Sequence, residues 1–535
     1  MSAGDAIEEV PEAVLAALAT PAFHAARPVR VEHVQTHISH VFLAGDDVYK
    51  LKKAVRFSFL DFGTRARRRF FCAEELRLNR RLAAPVYLDV VEVVRRADGS
   101  LALGGAGAPV EPVLHMRRLP AERLLPALLA AGAVDASMMT ALARRIAAFH
   151  REAPRGPSVA AEGSPEAVRR RFADTLATLR PFVGRVLFAE EHAALLATAE
   201  WFVRTRAPLL RARQAEGRIR EGHGDLHAEH VCFVPAGSGC GLPEGIYVFD
   251  CIEFSAPFRC NDVASEIAFL TMDLEARGRR DLADAFAAAY AEAADDPAIP
   301  RLVPYYAAYR AAVRAMVAAL TEAEPEMDAA ERQGARARAA AYVALALRSA
   351  WRAYAPAVIV CCGRSGTGKS TIAAGLAESI EAEVLRSDVI RKRADRPGAA
   401  APPDRYGAPA RAAIYAALCR EVDAALAADR TVIADATFLR RAERDAVAAV
   451  AARHGRRVLF VETTAEPETV RARLAARPAG DVSDARFDTY RAQAAEAEPW
   501  GPGEPRVTIG TEGEAAAVRA AALGALFAWR ADGAD

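Results

Sequence analysis

The stretch AVIVCCGRSGTGKSTIAAGL, residues 357–376, limits the possible folds more than any other part of this chain. An unbroken apolar run, AVIVCC, has the length and composition of a strand buried on both faces. It runs directly into a glycine-rich loop and then into a helix-forming segment. Gly363 to Ser370 fits the pattern GxxxxGK[ST], the Walker A loop, with the strand before it and the helix after it that give the pattern meaning. Glycines let the backbone curl, so that N–H groups point inward at the positive end of a helix, where phosphate oxygens are favoured. Gly363, Arg364, Ser365, Gly366, Thr367, Gly368, Lys369, Ser370 and Thr371 are therefore the expected nucleotide-binding loop. Lys369 would reach the β- and γ-phosphates of ATP, and Ser370 would hold Mg2+.

Further apolar strands, TVIAD (431–435) and RVLFVE (457–462), alternate with helical segments after Pro356. That rhythm predicts an α/β P-loop NTPase fold, a parallel sheet with helices on both faces, over 356–535. After the next short strand, EVLR, come Ser387-Asp388-Val389-Ile390-Arg391. A carboxylate and a guanidinium beside a γ-phosphate are the pairing that phosphoryl transfer needs, and Asp388 and Arg391 supply those two residue types. Asp388 equally suits the N-cap of the following helix. Asp435, at the end of its strand, suits Mg2+ binding through water or a cap. VRARLAAR (470–477) puts Arg471, Arg473 and Arg477 on a helix before PAGDVSDARF. This is either an arginine lid over the phosphates or a solvated face. Residues 355–530 resemble the small P-loop kinases that include polynucleotide kinases, gluconate kinases and zeta-type toxins. In these an Asp like Asp388 is the base and an Arg like Arg391 binds substrate.

The chain carries 70 basic residues, of which only Lys50, Lys52, Lys53, Lys369 and Lys392 are lysines. Arginine and lysine are not interchangeable at a phosphate, so each lysine is a pointer. One lies in the phosphate loop and three in VYKLKK (48–53). The segment 33–60 reads as strands around a GDD turn, followed by a helix over 64–82 and strands near 86–96 and 110–118. On that helix Glu75 interrupts the apolar stripe Phe71, Leu78 and Leu82, and a carboxylate on a buried face requires a cation. Lys50 shares a strand face with Val48; Lys52 is on the same face and is the alternative partner. Downstream, HGDLHAEHV (223–231) offers Asp225 as a base, and IYVFD brings Asp250 to the end of an apolar strand.

Lysine, glutamate, HGD and strand-Asp occur in the order of a kinase-type site. Residues 30–345 resemble the aminoglycoside phosphotransferase family, with a bilobal α+β protein-kinase-like fold. The resemblance implies nucleotide binding by Lys50 and Glu75, catalysis by Asp225, and metal binding by Asp250 and by the residue at 230. HMRRLP (115–120) resembles the hinge between lobes. His223 would orient the loop, and Asp262 would anchor it or cap a helix. The departure is His230, which stands where such loops carry asparagine; Mg2+ prefers oxygen to imidazole nitrogen. This points to a modified, nucleotide-binding site.

Net charge is +1, so no overall basic field draws the chain to nucleic acid or membrane. The apolar stretch 339–347 is too short for a membrane span. Eight cysteines without CxxC pairs suggest reduced thiols in the cytoplasm. The expected organisation is an N-terminal arm and helix (1–30), a kinase-fold domain (31–350) and a P-loop kinase domain (356–535). The arrangement resembles the bacterial bifunctional aminoglycoside phosphotransferase/ATP-binding proteins. The implied activity is an ATP- and Mg2+-dependent kinase acting on a small-molecule hydroxyl. The alternatives are a polynucleotide 5′-hydroxyl kinase and a nucleotide-gated regulatory protein with a pseudokinase first half.

Overall fold

The computed structural model describes residues 6–57, 60–324, 327–394, 407–477 and 485–533. The chain forms two compact units, one of 1–168 with 208–306, the other of 169–207 with 307–535. This grouping by packing cuts across the sequence-based limits 31–350 and 356–535. The helical segments 169–207 and 307–352 are grouped with the C-terminal sheet.

Among the described residues the first unit holds a six-stranded antiparallel sheet. Its order is Val31–Gln35, Ser39–Ala44, Asp47–Lys52, Ala108–Arg117, Tyr87–Arg95 and Leu101–Leu103. The GDD turn joins its second and third strands, and Val41, Lys50 and Leu114 lie in register across three of them. The helix Arg65–Ala83 starts where the Thr64 side chain accepts from Arg67 N–H, and it buries Cys72, Glu75, Leu78, Asn79 and Leu82. That spacing is one helical face. Helix Ala136–Glu152 buries Met139, Leu142 and Ile146, which a spacing of three and four residues sets on one helical face. Two small antiparallel ladders, Val231–Val234 with Gly245–Val248 and Ile219–Glu221 with Cys260–Asp262, frame the HGD loop. This is the bilobal protein-kinase-like fold.

Among the described residues the second unit holds a five-stranded parallel sheet. Its order is Glu383–Arg386, Val432–Asp435, Val358–Cys362, Val458–Thr464 and Arg506–Gly510. Every residue of the central strand is buried. Val358, Val360 and Cys362 face a core shared with helices Ala408–Ala427 and Arg441–Arg453. Ile359 and Cys361, on the opposite face by the period of two, are buried as well. Helices therefore cover both faces, as a parallel sheet requires. The same unit buries Trp201, whose ring lies 4.0 Å from that of Tyr354. No helix among the described residues is long and apolar enough to cross a membrane.

Candidate functional site

In the second unit the strand Val358–Cys362 ends in the loop, and helix Lys369–Ile380 begins from it. Gly363, Gly366 and Gly368 all have positive φ. A Cβ on Gly363 would stand 2.6 Å from the Thr463 carbonyl oxygen, so only glycine fits there. Lys369 Nζ donates to Arg364 O at 2.9 Å. Ser370 Oγ donates to Asp435 Oδ2 at 2.6 Å, which joins the loop to the end of the neighbouring strand. Burial pushes the Lys369 ammonium down from its ordinary value despite Asp435 and Asp388 nearby. Burial also pushes the Asp435 carboxyl up, against Lys369 and Ser370. In both groups the cost of burying charge outweighs the opposite charge beside it.

A cavity of about 1050 Å³ opens over this loop. Ser365, Gly366, Gly368, Lys369, Ser370 and Thr371 line it, with Asp388, Arg391, Asp435, Arg473 and Arg477. The other predicted loop residues turn elsewhere. Arg364 stacks its guanidinium 4.1 Å from the Tyr490 ring centre, and Thr367 Oγ1 lies 2.7 Å from Thr463 Oγ1 in the interior. Asp388 is the second residue of helix Ser387–Ala394, and its carboxylate accepts from Arg391 at 2.8 Å. Arg473 donates to Thr511 Oγ1 and O, both at 2.8 Å. Arg471 lies over the Phe487 ring. Residues 478–484 of the expected lid segment lie outside the described residues.

Sequence reasoning missed several groups here. Arg386 Nε approaches Asp435 Oδ2 at 3.4 Å. Gln493 clamps Ser365, accepting from its N–H at 2.7 Å and donating to its Oγ at 3.0 Å. A polar residue in a helix far along the chain carries no motif that would have marked it.

The first unit brings together Lys50, Glu75, Asp225, His230 and Asp250. Lys50 Nζ lies 2.8 Å from Glu75 Oε1 and 2.7 Å from Asp250 Oδ1. The choice between Lys50 and Lys52 dissolves, because Lys52 Nζ holds the other oxygen of Glu75 at 2.6 Å and also pairs with Glu253. Glu253 was not foreseen. Burial opposes the charge on Lys50, but Asp250 and Glu75 outweigh it and raise the ammonium well above the ordinary lysine value. Burial likewise opposes ionised Asp250, and Lys50 and His230 hold it well below the usual carboxylate range. Asp225 is held low in the same way, chiefly by a hydrogen bond with His227 working against burial. Asp250 itself has φ +62°, in the left-handed region, where a non-glycine residue is uncommon.

The HGD loop is tied down by Glu266. Its carboxylate accepts from His223 N–H at 2.8 Å and 2.9 Å and from Gly224 N–H at 3.1 Å, and it pairs with His150 at 2.9 Å. Burial opposes the Glu266 charge, yet these partners pull it down to about 2. Gly222 is tight against it: a Cβ there would stand 2.0 Å from Glu266 Oε2. His223 donates from Nε2 to Phe249 O at 2.9 Å, and burial pushes the ring down to about 4. Asp262, expected to anchor the loop or to cap a helix, does the second. It accepts from Ala264 N–H at 2.8 Å and holds buried Arg213 at 2.6 and 2.7 Å.

A kinase-like fold with a Lys–Glu–Asp constellation and a P-loop kinase fold with a Ser–Asp pair define a phosphotransferase architecture. Residues 358–499 match the AAA domain family. The chain is 32% identical over 483 residues to the uncharacterized protein Rv2004c of Mycobacterium tuberculosis, covering 89% of this chain and 92% of that one. The match to uncharacterized protein Mb2027c of Mycobacterium bovis has the same extent. The chain belongs to the family of these mycobacterial proteins. Among solved structures, a sugar kinase from Janibacter sp. HTCC2649 is 24% identical, covering 32% of this chain and 94% of its own at a TM-score of 0.26. A choline/ethanolamine kinase family protein from Mesorhizobium loti is 16% identical, covering 62% of this chain and 99% of its own at a TM-score of 0.38.

Proposed function

We propose that the protein is an ATP- and Mg2+-dependent kinase that phosphorylates a hydroxyl of a small-molecule acceptor at the C-terminal site. The observation that carries this reading is the contact of Ser370 Oγ with Asp435 Oδ2 at 2.6 Å, beside Lys369 and on the floor of the cavity that also contains Asp388. Hydroxyl and carboxylate oxygens are the donors that Mg2+ selects. Ser370 and Asp435 would hold the ion, which would supply positive charge to the phosphates. Lys369 then leaves Arg364 O for the β- and γ-phosphates, and the loop N–H groups cradle them. Arg473 and Arg477 flank the phosphates from the cavity wall. Asp388 takes the acceptor hydroxyl proton, and Arg391, released from Asp388, binds the acceptor.

In the first unit Lys50, Glu75 and Asp250 are assigned to nucleotide binding and Asp225 to the base. There the donor at position 230 is an imidazole, a poor match for Mg2+, and no step is assigned through that ion.

The test is a screen of the full chain with ATP labelled at the γ-phosphate against sugars, amino alcohols, nucleosides and 5′-hydroxyl oligonucleotides. Label on a small hydroxyl compound supports the reading. Label on the oligonucleotide alone would replace it with the polynucleotide kinase, and ATP binding without transfer to any acceptor would replace it with the regulatory protein.

A further inference from the structure

Gln493 belongs to no motif, yet its carboxamide sits against the phosphate loop of the second unit. Ser365 N–H donates to Gln493 Oε1 at 2.7 Å, and Gln493 Nε2 donates to Ser365 Oγ at 3.0 Å. A backbone N–H only donates, so the amide oxygen must face it and the amide nitrogen must face the hydroxyl. Both side chains line the cavity over the loop. The peptide unit that carries this N–H joins Arg364 to Ser365. Its carbonyl, Arg364 O, accepts from Lys369 Nζ at 2.9 Å and from Thr367 Oγ1 at 2.8 Å. The peptide is trans, so its N–H and C=O point in opposite directions. Gln493 therefore holds one end of the peptide whose other end detains the phosphate-loop lysine. Tyr490, one turn earlier on helix Phe487–Glu496, adds a second grip, its ring centre 4.1 Å from the Arg364 guanidinium.

We propose that Gln493 is a competitor built into the phosphate loop: its carboxamide oxygen takes the place on Ser365 N–H that a phosphate oxygen of the nucleotide would take, and so sets how tightly the β- and γ-phosphates bind. The proposal rests on the reading of this site as the ATP site. An amide oxygen at 2.7 Å satisfies an N–H in length as a phosphate oxygen does, but it carries no full charge. A charged acceptor makes the stronger bond, so a polyphosphate displaces the carboxamide. Displacement also frees the peptide that detains Lys369 through Arg364 O. Lys369 is the cation that reaches the β- and γ-phosphates, so nucleotides that have those phosphates feel the competition and a monophosphate does not. Gln493 acts through Ser365 and Lys369 and is a positioning residue. A residue that only braced the loop in its binding shape would act with the opposite sign, since its removal would weaken binding.

The experiment is calorimetric titration of the full chain with ATP, ADP and AMP in the presence of Mg2+, for wild type, Gln493→Ala, Gln493→Glu and Lys369→Ala. The quantity compared is the binding that Lys369→Ala removes, which leaves aside any nucleotide held by the first unit. Circular dichroism checks that each variant is folded. Gln493→Ala should bind ATP and ADP about three- to tenfold more tightly than wild type, the effect of one net hydrogen bond released, with AMP unchanged. Gln493→Glu keeps an acceptor for Ser365 N–H and adds a charge that repels phosphate, so it should bind ATP about tenfold more weakly. ATP affinity that is unchanged or weaker in folded Gln493→Ala overturns the proposal. An equal gain for AMP overturns it too, because the gain would then come from a roomier cavity. If neither wild type nor Gln493→Ala shows Lys369-dependent binding, the reading of this site as the ATP site falls and takes the proposal with it. Where that binding is present, the sign of the Gln493→Ala change decides the proposal alone.

Discussion

At the scale of single residues, the two halves use acidic groups in opposite electrostatic settings. Asp435 is pushed up by burial, whereas Asp225 and Asp250 are held down by histidine and lysine neighbours. The base assigned in the second unit, Asp388, is tied to Arg391 at 2.8 Å. Asp388→Asn keeps the shape and removes the base, so it should reduce phosphoryl transfer by roughly 10²–10⁴-fold while ATP binding, followed by calorimetry, stays within a factor of about three. Unchanged transfer would reduce Asp388 to a helix residue paired with Arg391. Lysine scarcity in an arginine-rich chain made Lys50, Lys52 and Lys369 legible before any fold was known. Glu253 and Gln493 were not legible, because a lone glutamate or glutamine has no pattern until tertiary structure brings it to Lys52 or Ser365.

At the scale of elements, motifs with a strand before and a helix after were readable, and their anchors were not. Asp262 was expected to anchor the HGD loop or to cap a helix; it caps helix Val263–Ala276, and the group that holds the loop is Glu266, one turn further along. Glu266→Ala leaves the N–H groups of His223 and Gly224 without their acceptor. An unsatisfied buried donor costs about 1–3 kcal/mol, so the denaturation midpoint of the unit should fall accordingly. The pH dependence follows from sign. Glu266 titrates near 2 when folded and near 4.3 when unfolded. Its stabilising contribution is thus complete above about 4.3 and lost as pH falls toward 2. His223, buried neutral and pushed down to about 4, adds to the loss as pH falls from about 6.5. Denaturation curves between pH 7 and pH 3 should show wild type converging on Glu266→Ala as acid is added. A constant gap across that range would contradict the assignment. In the second unit Gly363→Ala should disrupt the loop, since the new Cβ would meet the Thr463 carbonyl at 2.6 Å. The readout is loss of ATP affinity in a folded protein.

At the scale of the whole molecule, sequence periodicity separated a kinase-like half from a P-loop half but did not show with which half the intervening helices pack. The helices of segments 169–207 and 307–352 are rich in alanine, and an alanine face fits many neighbours equally well. The packing that decides the matter is long-range: Trp201 against Tyr354, and Trp351 edge-on to Phe527. A fragment of residues 1–350 keeps Trp201 as its single tryptophan and loses Tyr354. We expect its emission to be red-shifted and open to acrylamide quenching, unlike the 0% exposed Trp201 of the full chain. A blue, shielded emission from the fragment would support 31–350 as a self-sufficient domain. The central claim, that the phosphate loop of the second unit drives phosphoryl transfer, is tested most directly by comparing the full chain with Lys369→Ala. The measured quantity is the rate at which γ-phosphate label appears on a hydroxyl acceptor. Loss of one cation aimed at the transferring group typically costs about 10²–10³-fold. The account predicts a fall of at least that size in a variant whose circular dichroism is unchanged, and transfer at the wild-type rate would contradict it.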